Sequence, residues 1–596
     1  MDMACFKMLI ILFLFSLPDF SFKENPKDLV PFSEIQLDQV GYFPKGKKLA
    51  YYLGSFPSDK FFLVDSAQNQ VVYSGKIKVN QYLAFRSHTP LILDFTSFIK
   101  EGTFRIRIPG YGYSYYFKIL PSVYKELGKA SLKGFYFQRA SIDLAPEYAG
   151  KWARKAGHPD TSVLIHGSAS GPLRLEGYKV NSRGGWYDAG DYNKYIVNSG
   201  ISTATLLSAY EDFPDFFRTL KTSIPESNNG LPDILDESLY NIRWMLSMQD
   251  PDDGGVYHKC TNADFDPMVM PEQAKKRRYL VQKTTAASLD FAAVMAQSAR
   301  IFSSFGKELP GLADSCFRAS EKAWDWANRN PQVLYKQNEM NKSFSPAIHT
   351  GEYGDSNLED EKFWAEAEIY CTYWSGFSNK ANRGLLMELL NAPDQSSIPS
   401  WSKVGMLGYY SLLRIERHIK WEKGGLLDII KSRILQQSLE LIKKSKYNGY
   451  QTIMGGSPSD YVWGSNAVAA NQGILLINAY RISHFKPYLD LALTNLHYLL
   501  GQNPTGYCFV TGFGTRSPMH PHHRISIADG ILDPVPGLLV GGPNPGRQDG
   551  QKYEKTDPDT AYTDQDGAYA SNEIAINWNA PLVYLVNGIE ALYPNK

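Results

Sequence analysis

Apolar and polar positions change rhythm at about residue 121 of the 596. Before it, apolar residues alternate with polar ones in short runs at 35–40, 49–53, 61–64, 71–73, 91–95, 103–108 and 113–119. Side chains two apart share one face of an extended chain, so each run reads as a strand. Gly54, Asn69, Gly75, Gly102 and Pro109-Gly110 punctuate the runs. Seven short strands at this spacing predict a β-sandwich domain over 31–121. It carries no cluster of acids, histidines or thiols suited to catalysis, so its expected job is to brace its neighbour.

Beyond that point the apolar period lengthens to three and four residues, the signature of one buried helix face. The clearest case is 284–305. Thr284 or Thr285 can cap it, Ala286, Leu289, Ala293 and Ala296 recur along one face, and Gly306 stops it. Further helices are predicted at 124–136, 203–212, 232–249, 312–327, 363–373, 404–417, 426–444, 465–482 and 487–500. The last spans 580–592, with Asn579 as its cap and Pro581 in its first turn. Long Gly-, Pro- and aromatic-rich loops separate several of them. The expectation for 122–596 is an all-α domain of paired helices closing into an α/α barrel, its long loops forming a cleft at one end. An irregular helical bundle has the same periodicity.

The first 22 residues stand apart. Lys7 precedes an apolar run at 8–15 and then Ser16-Leu17-Pro18. The run is too short to span a bilayer and reads as a signal peptide, implying a secreted or periplasmic protein. No later stretch is long and apolar enough to cross a membrane, and a monomer is expected.

Charge narrows the partners. The 62 basic and 61 acidic residues nearly cancel, which excludes a protein built to grip nucleic acid or an anionic membrane. Cys260, Cys316, Cys371 and Cys508 are widely spaced, without a C-x-x-C pair, so buried free thiols are expected, with one or two bridges as the alternative.

One stretch concentrates chemistry: Gly184-Gly185-Trp186-Tyr187-Asp188-Ala189-Gly190-Asp191-Tyr192-Asn193-Lys194-Tyr195. Two carboxylates stand three apart among glycines, which permit sharp turns and close approach. Trp186, Tyr187, Tyr192 and Tyr195 supply flat apolar faces of the kind that stack on a sugar ring. An isolated D-x-x-D is more often a capped turn or a calcium loop; the far end of the chain changes the reading. There Glu573 lies between Tyr569 and Trp578, where desolvation would keep it protonated as a proton donor. Between them, His520-Pro521-His522-His523-Arg524 offers donors for sugar hydroxyls, with Arg524 braced against a carboxylate. A metal is not needed to explain these histidines.

Together these segments resemble glycoside hydrolase family 9, the inverting β-1,4-glucanases. The likeness extends to Trp463-Gly464-Ser465-Asn466, the run from Leu499 to Pro504, the run from Leu231 to Glu237, and Gly254-Gly255-Val256-Tyr257-His258-Lys259. Gln39-Val40-Gly41-Tyr42 resembles the immunoglobulin-like module that precedes the catalytic domain in one branch of the family. The resemblance implies an immunoglobulin-like β-sandwich followed by an (α/α)6 barrel. It implies Asp191 as general base, Asp188 as a second holder of the attacking water, and Glu573 as general acid. His522 and Arg524 would contact the sugar at the cleavage point, with His258 and Trp578 lining nearby subsites.

Two departures bear on metals. Many relatives hold zinc with thiols that fall near Ala140 or Ser141 and at Gly157; only His158 and His166 remain here, so no zinc is expected. Calcium as a structural ion is common in the family, and Asp355, Glu359, Asp360 and Glu361 are acid-rich, although a solvated helix start explains them equally. No cofactor is required. The expected activity is endo-acting hydrolysis of a cellulose-type β-glucan. The rivals are an exo-acting cellobiohydrolase or exo-β-glucosaminidase, decided by cleft-end loops such as 272–278; a xyloglucan-specific endoglucanase; and a carbohydrate-binding protein without catalysis.

Overall fold

The computed structural model describes residues 34–54, 58–80, 90–377, 383–418 and 425–593. The expected signal peptide lies outside them.

The N-terminal unit contains β1 (Ile35–Gln36), β2 (Gly41–Tyr42), β3 (Leu49–Tyr52), β4 (Lys60–Asp65), β5 (Val71–Lys78), β6 (Leu91–Asp94), β7 (Gly102–Ile108), β8 (Gly112–Tyr113) and β9 (Phe117–Ile119). Their order is β1-β3-β6-β5-β4-β7-β9-β2, with β8 beside β7. The long β5 joins the two faces: Phe61 opposes its Gly75, while Leu93 opposes its Ile77. Phe61, Leu63, Leu93, Phe95, Phe104, Ile106 and Phe117 fill the space between them, the alternating inward residues of a sandwich.

The predicted run at 35–40 breaks after Gln36. Asp38 turns the chain by accepting from the backbone of Val40 and Gly41, at 2.9 Å each. The Asp38 carboxylate also meets His497 Nδ1 at 2.7 Å and the Tyr124 hydroxyl at 2.9 Å, all three side chains buried. Sandwich and helical domain therefore share a polar joint as well as apolar contacts such as Phe43 stacked on Tyr593.

The helical domain is ordered as pairs: α1 (Lys125–Phe137) and α2 (Ile196–Asp212), α3 (Asp233–Ser247) and α4 (Thr285–Phe302), α5 (Leu312–Arg329) and α6 (Glu359–Thr372), α7 (Arg383–Asn391) and α8 (Gly405–Arg414), α9 (Leu426–Lys446) and α10 (Ser465–Ser483), α11 (Lys486–Leu499) and α12 (Ile576–Leu592). The second helix of each pair is buried around most of its circumference, which makes it the inner one. First helices such as α5 and α9 keep a solvated face. The result is an (α/α)6 barrel.

The end of the barrel away from Asp191 is closed by charge. Asp212 of α2 accepts from Arg414 of α8 at 2.9 and 3.0 Å, from Arg481 of α10, and from Tyr584 of α12 at 2.6 Å. Glu211 of α2 meets Arg300 of α4 at 2.9 Å, and Arg300 meets Glu368 of α6 at 2.9 Å. All six inner helices contribute to this ring. Three acids face three arginines, so charges that would be costly to bury singly are compensated.

Two features depart from expectation. A small sheet, β10 (Val163–Ile165), β11 (Lys179–Val180), β12 (Lys194–Tyr195), β13 (Lys259–Asn262) and β14 (Arg278–Leu280), sits among the helices in the order β11-β10-β14-β13-β12. The last helix begins at Ile576 with Ala575 as its cap, so Pro581 lies inside it. Asn579 is not a cap because its side chain is used elsewhere, accepting from Leu539 N at 3.0 Å and donating to Ser131 O at 2.8 Å.

Candidate active site

The loop from 184 to 195 ends in β12, which runs directly into α2. Gly184 and Gly185 take φ of 86° and 77°, the left-handed conformation that glycine adopts without strain. Gly190 serves closeness instead: a Cβ there would fall 2.2 Å from the carbonyl oxygen of His522. That contact brings the His522 segment onto the loop, and Gly190 N donates to Glu573 Oε1 at 3.3 Å. Ile576 N donates to the Asp188 carbonyl at 2.8 Å. Residues almost four hundred positions apart in the chain are thus joined by backbone at one point.

Each acid has its own setting. Asp188 Oδ1 accepts from Asn198 Nδ2 at 2.7 Å and Oδ2 from the Tyr353 hydroxyl at 2.8 Å. Burial, then the neighbouring Asp191, pushes the Asp188 carboxyl up to about 8, against the pull of those two donors. Asp191 Oδ2 accepts from Asn193 Nδ2 at 2.5 Å and from the Tyr195 hydroxyl at 3.3 Å. Glu573 is held well above the ordinary carboxyl range by burial and by both aspartates, opposed by Gly190 N and Arg524. It stays partly open to solvent, whereas the aspartates are buried.

The aromatic surroundings differ from expectation. Trp186, Tyr187, Tyr192 and Tyr195 are buried behind the acids and present no face to a ligand. Tyr187 and Tyr192 meet each other at 4.8 Å, and Tyr195 meets Tyr353 at 4.8 Å. The accessible rings come from elsewhere. Trp463, 43% exposed, lies 5.5 Å from Tyr569, which lies 5.8 Å from His522. This strip leads to the strand-like bridge between His522 and Glu573.

His522 is half-buried, its Nδ1 2.6 Å from the Asp566 carbonyl. Arg524 is braced by carbonyls, not by a carboxylate: Nε donates to Asp266 O and Nη1 to Gly190 O, both at 2.9 Å. His258, expected beside a subsite, is enclosed. Its ring stacks on Tyr335 at 4.2 Å and its nitrogens meet Thr284 Oγ1 and Glu352 O. Burial in that apolar slot lowers it to about 3, so it is neutral. Trp578 is half-buried beneath Gly464 and Gly541.

The residues present do not fit a zinc. Ser141 Oγ donates to the His158 carbonyl at 2.7 Å, and a Cβ at Gly157 would fall 2.3 Å from Pro271. His158 Nδ1 is 2.9 Å from the Tyr187 hydroxyl, while His166 Nε2 is 3.0 Å from the Pro346 carbonyl. Among the described residues no three or more His, Cys, Asp or Glu side chains are placed together to hold a metal ion. The acid-rich segment is nevertheless not a solvated helix start. Glu359 is exposed, but Asp360 and Glu361 turn inward toward Asp290 of α4. Both carboxylate oxygens of Asp290 and one each of Asp355, Asp360 and Glu361 are buried without a hydrogen-bond partner.

Comparison with known proteins agrees in both domains. Residues 31–113 match the cellulase N-terminal ig-like domain and residues 124–586 match glycosyl hydrolase family 9. A xyloglucan-specific endo-β-1,4-glucanase of Bacteroides ovatus is 43% identical over 95% of both chains. Endoglucanase D of Acetivibrio thermocellus is 33% identical, covering 93% of this chain and 83% of its own. The solved structure of a Bacteroides ovatus family 9 protein superposes with a TM-score of 0.88 at 41% identity, over 95% of this chain and all of that one.

Proposed function

The chain belongs to glycosyl hydrolase family 9, and we propose that it hydrolyses internal β-1,4-glucosidic bonds with inversion at the anomeric carbon. The observation that carries this reading is the bond from Gly190 N to Glu573 Oε1, which sets one raised carboxyl beside an aspartate pair. Inversion needs a proton on the leaving oxygen and an activated water on the opposite face of the ring. Glu573, kept protonated by burial, supplies the proton. Asp191 takes the proton from water, and Asp188 orients that water. Asp188 and Asp191 repel each other at close range, so the pair titrates jointly.

Xyloglucan is the proposed polymer. The 43% identity to a xyloglucan-specific enzyme along nearly the whole chain supports it. The apolar run at 8–15 behind Lys7, read as a signal peptide, supports action outside the cytoplasm. Initial rates and product sizes on xyloglucan, soluble β-1,4-glucan, mixed-linkage glucan and chitosan oligosaccharides test the reading. Mid-length oligosaccharides released early, fastest from xyloglucan, are expected. Mono- or disaccharide alone from the first minutes would overturn endo action, and faster cleavage of the unbranched glucan would overturn the preference.

We also propose that Asp290, Asp355, Asp360 and Glu361 take a structural calcium. Hard oxygen donors with unfilled lone pairs suit that ion; gripping it requires their side chains to turn toward it. Burial raises all four, and repulsion from the neighbouring acids adds to it for Asp290, Asp360 and Glu361, the last reaching about 11. Carboxyls raised on folding favour the fold at low pH and cost stability as pH rises through their folded values. Calcium replaces those protons, so millimolar calcium is expected to raise Tm by several degrees at pH 8 and by less at pH 5. An equal or absent shift, or a shift retained in Asp290→Ala, would remove the site.

A further inference from the structure

Lys259, at the start of β13, is fully buried. Its Nζ donates to Gly351 O at 2.6 Å, Gln337 Oε1 at 2.7 Å and Thr350 Oγ1 at 3.2 Å, all neutral acceptors. The acids facing it, Asp191 and Glu352, act through space. The rings around it are Tyr195 at 5.5 Å and Tyr335 at 5.1 Å, with neutral His258 adjacent in sequence. An ammonium buried with neutral partners costs stability, so what it holds matters.

What it holds is the segment 350–353, and that segment reaches both aspartates. Gly351 N donates to the Tyr195 hydroxyl at 3.1 Å, and that hydroxyl donates to Asp191. Thr350 Oγ1 lies 2.6 Å from Thr261 Oγ1; Thr261 donates to Asn193 Oδ1, and Asn193 donates to Asp191. Tyr353 donates to Asp188 from a backbone φ of 47°, a left-handed conformation strained for a tyrosine. Such a conformation persists only where neighbouring contacts impose it.

We propose that Lys259 is a positioning residue for the hydrolysis. Its ammonium clamps residues 350 and 351 to β13, and thereby keeps Tyr353 on Asp188 and Tyr195 on Asp191. This rests on the roles given above to the two aspartates. Burial brings the Lys259 ammonium down to about 7. Once deprotonated, it has two N–H groups for three acceptors and no charge favouring the Asp191 anion. Activity is therefore lost as pH rises through that value.

The test is kcat and KM on xyloglucan from pH 5 to 9, at two temperatures, for the wild type, Lys259→Met and Thr350→Val. The wild-type alkaline limb is expected to move strongly with temperature, as ammonium ionisation does; a carboxyl such as Glu573 would leave it nearly fixed. Lys259→Met, checked for folding by near-ultraviolet circular dichroism, should lose at least tenfold in kcat with KM within twofold, and lose the limb. Thr350→Val keeps the ammonium but removes an acceptor, so its limb should shift to lower pH. A temperature-indifferent limb, or a folded Lys259→Met with unchanged kcat and limb, overturns the proposal. Should Lys259→Met not fold, the wild-type temperature dependence and the Thr350→Val shift decide it. A wild type without activity would instead sink the hydrolytic reading, and an active Asp191→Asn would place the base elsewhere.

Discussion

Glu573→Gln should lower turnover of a β-1,4-glucan by roughly 10³-fold while oligosaccharide binding survives. The amide keeps the shape and the acceptor for Gly190 N, so the junction between the two halves of the site stays closed. What it lacks is a transferable proton. Every cause that raises Glu573, namely burial and the two aspartates, acts to keep that proton in place at working pH. The sharpest comparison uses substrates whose leaving group needs no protonation, such as an aryl glycoside with a highly acidic phenol. These should lose far less than the polymer does. Near-normal polymer turnover in the variant would mean that the acid is another residue.

Asp191→Asn should be comparably severe, at roughly 10²–10⁴-fold in kcat. Its Oδ2 is fixed by Asn193 and Tyr195, so the other oxygen is the one available to a water. Asparagine cannot take the proton. Asp188→Asn is expected to be damaging but less so, because both Asp188 oxygens are already occupied by Asn198 and Tyr353. Parallel kcat measurements at the pH optimum check the ranking. Equal rates for Asp191→Asn and wild type would place the base elsewhere, and a reversed order would exchange the two aspartates' roles.

The sandwich was legible because its strands alternate. Only three residues of β5 carry a strand pattern in the sequence, since Ser74, Gly75 and Lys76 interrupt it where the strand crosses between faces. The long helices were legible for the same reason of period. The small sheet was not: strands of two to four residues are too short to show a rhythm. Asp188, Asp191 and Glu573 stood out through their glycine and aromatic company. That company packs behind the acids instead of facing a ligand, since local sequence shows that a tyrosine is near an acid but not which side of it solvent is on. Asn198 and Tyr353 carried no visible signal. Asn198 sits among apolar helix residues, and Tyr353 derives its position from a loop conformation unusual for its residue type. Asp290 was hidden in a run of alanines whose helical period it does not disturb. Lys259 is an ordinary strand lysine until its burial is seen.

The ring of acids and arginines drawn from all six inner helices has a bearing on how a polymer travels. It plugs the barrel's axis with compensated charge, so a glucan cannot thread through the centre from one end to the other. A long chain has to enter and leave by the end that carries Asp188, Asp191 and Glu573. Where along its backbone such a chain is cut is then set by the loops around that one end, not by the barrel's axis.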